Sequence, residues 1–189
     1  MAAQPVDPTD ADVISASLEK PSLFGLIFTR HYPALYNFAA RRIGRDEAAD
    51  LVADTFVRAL ESRATYDPSY PSCLPWLYGI AQNVIRDRLR RVGRGKRIYI
   101  ALPAAATEEF GEETDDRVVA SSVATDLAHA LARLSKRDRS TLLLYALDGL
   151  SYSEIALVLD IPAGTVGSRL NRARQQILEA IPDLEQRTR

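Results

Sequence analysis

Between Ser22 and about Arg91, apolar residues recur at helical spacing, and no stretch alternates apolar and polar positions as a half-buried strand would. The pattern breaks over residues 93–120, where glycines and basic clusters give way to the Ala-, Pro- and acid-rich "YIALPAAATEEFGEETDDR". It resumes from Ser121 to Ile181. Residues 1–20 are polar with two early prolines and read as a mobile tail. No internal repeat of solenoid length is present. The expected fold is all-α: two small helical domains over 21–92 and 123–182, a flexible acidic linker over 93–122, and a short tail over 183–189.

Three punctuation marks organise the C-terminal half. "SKRD" (Ser135–Asp138) is a capping box that opens a helix able to bury Leu142, Leu143, Tyr145, Ala146 and Leu147. Gly149 stops it, since a left-handed residue costs glycine little. "SYSE" (Ser151–Glu154) is a second box, opening a short helix with Ile155, Ala156 and Leu159 inward. Asp160-Ile161-Pro162 makes a corner, and Pro162 is tolerated at the start of the helix that follows. Val166, Leu170, Ala173 and Ile177 form that helix's buried stripe. Its other face is expected to carry Thr165, Ser168, Arg169, Arg172 and Arg174: hydroxyls and guanidiniums for phosphates, arginine for guanine edges. Arginines alone would fit a solvated basic face. The short-helix, corner, long-helix order favours a helix-turn-helix.

In the N-terminal half, "RDEAADLVADTFVRALE" puts Leu51, Val52, Thr55, Phe56, Ala59 and Leu60 on one helical face and Asp46, Asp50 and Asp54 on another. Like charges four apart cost a few tenths of a kcal/mol per pair, roughly. The acidic stripe suits a solvated surface and a dock for a basic partner equally well. Pro68, Pro71 and Pro75 then forbid a continuous helix across residues 66–74, giving a structured loop. The next helix buries Leu77, Ile80, Ala81, Val84 and Leu89 and projects Gln82, Asn83, Arg86, Asp87, Arg90 and Arg91. Such a loop and polar face could hold an unstacked base and its phosphates. Trp76 and Tyr78 fit core or rim better than a base-stacking platform.

The net charge of −1 hides strong segregation, with bases clustered over 86–97 and 169–174 and acids over 108–116. A single cysteine, Cys73, excludes a disulfide framework and a cysteine-cluster metal site, which fits a reducing compartment. The first nineteen residues lack Lys, Arg and an apolar core, unlike a signal peptide, and no stretch is long and apolar enough to insert into a membrane. A cytoplasmic location is expected. His31 and His129 lie in unrelated segments, and no carboxylate pair, Gly-rich phosphate loop or metal-ligand spacing suggests catalysis or a cofactor.

Three segments in order, "DEAADLVADTFVRAL", "LPWLYGIAQNVIRDRLRR" and "LDGLSYSEIALVLDIPAGTVGSRLNRAR", resemble bacterial sigma factors of the extracytoplasmic-function (ECF) group of the sigma-70 family. The resemblance covers roughly residues 22–92 and 123–180. It implies a region 2 and a region 4, and core RNA polymerase and promoter DNA as partners. Asp50, Asp54 and Phe56 would dock on the β′ clamp helices of polymerase, with further contact to the β subunit. The loop over 66–74 would capture a flipped −10 base, with Asn83 at its mouth and Arg86, Asp87, Arg90 and Arg91 tracking the strand. Thr165, Ser168, Arg169, Arg172 and Arg174 would read the −35 element. An anti-sigma factor is a further possible partner.

The chain departs from the family pattern at Ala49 and Ala53, at Asp160 where glycine is common, and at Gly167 where lysine is usual. The last change would remove a phosphate contact. Competing readings are a self-sufficient dimeric helix-turn-helix regulator and an adaptor that binds only proteins.

Overall fold

A computed structural model describes residues 7–92 and 126–181. These residues are helix, turn and coil without a strand, and the chain divides into two compact units, Met1–Tyr99 and Ile100–Arg189. The acidic linker over 93–122 and the tail over 183–189 lie outside the described residues.

The N-terminal unit begins with a helix where a mobile tail was expected. Helix α1 (Asp10–Glu19) is opened by a reciprocal capping box. The Thr9 hydroxyl accepts from the Asp12 amide (3.2 Å), and the Asp12 carboxylate accepts from the Thr9 amide (2.9 Å). Val13, Ile14 and Ser17 are buried, which holds α1 against the body of the unit. Composition suggested a tail because the helix shows only this narrow apolar stripe.

Helix α2 (Gly25–Ile43) buries Ile27, Leu35, Phe38 and Ala39, and Gly44 at φ 92° turns the chain into α3 (Arg45–Ser62). Only glycine takes that φ without cost. Helix α3 buries Leu51, Val52, Thr55, Phe56 and Ala59, the stripe its periodicity predicts. Helix α4 (Leu74–Val92) packs against both, burying Leu77, Ala81 and Val84; Ile80 and Leu89 are half-buried. Tyr78 is a core residue, stacked on Phe38 at 4.5 Å, and the Arg42 guanidinium caps the other part of that stack, 3.6 Å from the Phe38 ring centroid. Trp76 packs on Tyr66 at the rim.

The C-terminal unit contains α5 (residues 126–133), α6 (Lys136–Ala146), α7 (Tyr152–Leu159) and α8 (Ala163–Ala180). Both predicted caps form, Ser135 on the Asp138 amide and Ser151 with Glu154 as a full box. The buried row of α6 differs from expectation. Thr141, Leu143 and Leu144 are buried, Leu142 and Leu147 half-buried, and Tyr145 and Ala146 exposed. A contiguous apolar run assigns no helical phase of its own; Thr141 and Leu144, three apart, take the inner row. The displaced Tyr145 ring stands edge-on to Tyr152 at 5.8 Å. In α7, Val158 joins Ile155 inside, while Ala156 and Leu159 are half-buried.

The corner forms as its residues require. Asp160 is left-handed (φ 52°, ψ 57°), and the Ile161 amide bonds back to the Ala156 carbonyl (3.1 Å) while that of Asp160 reaches Leu157 (3.4 Å). This is the Schellman pattern, with aspartate in the place glycine usually takes. Gly149, at φ 67°, ends α6 as expected. Val166, Leu170 and Ala173 of α8 are buried, and Ile177 packs on Leu131, Leu134 and Ala173.

Candidate nucleic-acid and protein interfaces

On the N-terminal unit the α3 and α4 surfaces are tied by two crossed ion pairs. Asp54 and Arg58, four apart on α3, meet Arg88 (2.6 Å) and Asp87 (3.0 Å) on α4. Arg90 adds a longer contact to Asp87 at 3.8 Å. The hydrogen bond from Arg58 holds the Asp87 carboxyl below the usual carboxylate range, helped by the charges of Arg58, Arg90 and Arg91. Pairs as exposed as these are screened by solvent, so they orient side chains more than they stabilise the bundle.

The acidic stripe is therefore not uniform. Asp46 and Asp50 are exposed, while Asp54 is engaged by Arg88. Phe56, which the resemblance places at the docking surface, packs in the core of the unit. It is only 6% exposed, and its ring lies against Phe28 with centroids 4.8 Å apart. On α4, Asn83, Arg86, Arg90 and Arg91 all reach solvent, and the Asn83 side-chain oxygen accepts from Arg86 (3.1 Å). Asp87 sits among them but turns toward Arg58.

The loop ahead of α4 is built by local bonds. The Asp67 side chain accepts from the Ser69 amide (2.9 Å), the Tyr66 hydroxyl donates to the Tyr70 carbonyl (3.0 Å), and the Cys73 amide donates to Asp10 of α1 (3.0 Å). The last contact anchors the loop to the helix that composition had hidden.

On the C-terminal unit, α8 and the start of α6 enclose an open hollow of about 540 Å³. Thr165, Ser168, Arg169, Arg172 and Gln176 line it from α8, and Ser135, Arg137 and Asp138 from α6. Asp138 is 2% exposed, and its carboxylate accepts from the Ser135 hydroxyl (2.8 Å) and from Arg172 (3.2 Å). One buried anion thus braces the Ser135 cap of α6 and fixes an arginine of α8. Arg137 is a third cation on the hollow that sequence reasoning missed; its proximity to α8 depends on how the helices cross.

Arg174 does not share this face. At 100° per residue it lies about 180° around α8 from Thr165, beside Gly167. A Cβ on Gly167 would meet the Tyr152 ring of α7 at 3.6 Å. The lysine usual at this position in the family would start from that ring, away from the hollow, so the departure at Gly167 takes nothing from the Arg169 face.

The sequence pattern of sigma-70 region 2 matches residues 27–95 and that of sigma-70 region 4 matches residues 124–188, together well over half of the chain. The ECF RNA polymerase sigma factor SigE of Mycolicibacterium smegmatis is 31% identical over 176 residues, covering 90% of this chain and 67% of SigE. This chain belongs to the ECF group of the sigma-70 family.

Two solved relatives share its fold. CnrH, in complex with the cytosolic domain of CnrY, aligns with a TM-score of 0.63 at 29% identity, over 93% of this chain and 98% of CnrH. The sigma factor RpoE of Bartonella quintana, in complex with the anti-sigma factor NepR, aligns at 0.61 and 27% identity, over 84% of this chain and 96% of RpoE. In family terms the acidic stripe and the α4 row belong to the region 2 match, and the hollow on α8 to the region 4 match. No described helix is long and apolar enough to cross a membrane.

Proposed function

We propose that this ECF factor binds core RNA polymerase and directs promoter-specific initiation, reading the −35 element as duplex and the −10 element as melted strand. It is a cytoplasmic binding protein rather than an enzyme. Residues 21–92, with α1, act as region 2; residues 93–122 link it to region 4 over 123–182. Asp46 and Asp50 meet basic surfaces of the β′ clamp helices, with Asp54 joining through its pair with Arg88. Asn83, Arg86, Arg90 and Arg91 track the −10 strand, and Asp87 positions Arg90 and Arg58. An anti-sigma factor is a further proposed partner, since the similar RpoE was solved in complex with the anti-sigma factor NepR.

The observation that carries this reading is the arginine-lined hollow on α8. Arg169, Arg172 and Arg137 converge there beside three hydroxyls, a composition suited to a phosphate backbone at the edge of a major groove. Arg174, on the far flank, is left a peripheral phosphate contact at most. Arg169→Ala should therefore weaken −35-dependent promoter binding by the holoenzyme about 10–100-fold, the range for losing a specific base or close phosphate contact. Arg174→Ala should cost much less. Equal losses for the two variants, measured by titrating holoenzyme onto promoter DNA, would count against this face as the reader.

A further inference from the structure

Where α1 meets α2 and the end of the loop before α4, the N-terminal unit gathers three chemically distinct metal-binding side chains that are distant in sequence. Asp10 starts α1, His31 lies in α2, and Cys73 precedes α4. One carboxylate oxygen, one imidazole nitrogen and the thiol sulfur all lie within 4.8 Å of one another. Cys73 is fully buried, and the side chains of Asp10 and His31 are 9% and 14% exposed. The Asp10 carboxylate is divided between tasks. Its Oδ1 accepts from Arg30 (3.2 Å), while Oδ2 faces His31 Nε2 (2.8 Å) and accepts from the Cys73 amide (3.0 Å).

We propose that Asp10, His31 and Cys73 form a binding site for a zinc-class divalent cation that fastens α1 to α2 and to the loop before α4. Donor atoms around one tetrahedral zinc stand roughly 3.3–3.8 Å apart at bond lengths of about 2.0–2.3 Å. A spread of at most 4.8 Å closes to that by small side-chain rotations. An oxygen, a nitrogen and a sulfur donor suit zinc better than magnesium or calcium, which take oxygen ligands. Three protein donors leave one position for water, reached past the partly exposed His31.

Proton balance is simple. Coordination through His31 Nε2 leaves the neutral ring's proton on Nδ1, and the Cys73 thiol releases its proton to solvent. Asp10 and the Cys73 thiolate then neutralise the dication, and Arg30 stays on Oδ1 as an outer partner that fixes the carboxylate.

The surroundings also argue against a redox role for this cysteine. Cys73 is fully buried, out of easy reach of a dissolved oxidant or disulfide. The site does not depend on the transcription reading: Cys73 ends the 66–74 loop, but metal binding is argued from the three donors alone.

The test uses the full chain, with any affinity tag removed, stripped of metal and titrated with cobalt(II) and then zinc(II) against a chromophoric chelator. One equivalent of cobalt should bind and give a thiolate-to-cobalt charge-transfer band in the near ultraviolet, and zinc should displace it. Cys73→Ser should abolish the band and weaken zinc binding at least about a hundredfold, more than outer-shell changes cost. His31→Gln keeps an N–H for Asp10 and should lose affinity similarly, so it decides the matter should Cys73→Ser fail to fold. Zinc should also raise the melting temperature of the unsubstituted chain and leave both variants unchanged. Absence of a thiolate band at stoichiometric cobalt, or unaltered affinity in His31→Gln, overturns the proposal.

Discussion

Phe56→Ala is expected to lower the melting temperature of the N-terminal unit sharply, whereas Asp50→Lys, six residues earlier on α3, should leave it unchanged. Both belong to the segment that resembles the polymerase-docking helix, yet burial separates them. Phe56 is 6% exposed and packs on Phe28, so truncation removes a core ring at a cost of about 3–5 kcal/mol. That is a large share of the roughly 5–15 kcal/mol by which a domain of ordinary size is stable. Asp50 is exposed and its change should move stability by less than about 0.5 kcal/mol. Reversing its charge places a cation against a basic partner, and core-polymerase binding should fall sharply. Thermal melting and a core-binding assay on the two variants separate the roles. A Phe56→Ala protein with the parental melting temperature and no affinity for polymerase would make Phe56 a docking residue and not a core one.

The second large effect is expected at Asp138. Replacing it with alanine removes the carboxylate that bonds the Ser135 cap and holds Arg172. Hydrogen bonds to charged groups contribute about 1.5–3 kcal/mol and a cap about 1 kcal/mol. The Arg172 side chain is 58% exposed, so its share is screened, and a total of about 2–3 kcal/mol is expected for the C-terminal unit. Arg172→Ala should destabilise less, because Ser135 still serves the buried carboxylate. Denaturant unfolding of the full chain, followed through the C-terminal transition, measures both. Equal stability of Asp138→Ala and the parent would show that the α6–α8 pair contributes nothing.

The helices most legible in the sequence are those in which periodicity and caps agree. In α3 the stripe from Leu51 to Ala59 is the buried face, and in α7 the Ser151–Glu154 box and Asp160 mark the ends. Helix α1 was missed although "TDAD" carries its capping box, because two adjacent apolar residues and a buried serine make a weak stripe. Its partners, His31 and Cys73, lie far along the chain. Arg174 was grouped with Arg169 and Arg172 by composition, where the helical angle separates them. The Asp54–Arg88, Arg58–Asp87 and Asp138–Arg172 pairs depend on where helices cross, which no local pattern encodes. The burial of Phe56 has the same origin: a resemblance assigns a segment to an interface, while packing against Phe28 sets where that ring lies.

The central claim, that two DNA-reading units become one promoter reader only on polymerase, is tested most directly by gel shift with promoter DNA selected from a library. Each unit presents a small cationic surface, and the chain's net charge of −1 disfavours nonspecific coating of DNA. Tethering both units to one enzyme supplies the effective concentration that neither has alone. The free chain should bind promoter DNA weakly and with little sequence preference, and addition of core polymerase should make binding tight and specific. Tight, sequence-specific binding by the free chain would contradict the account.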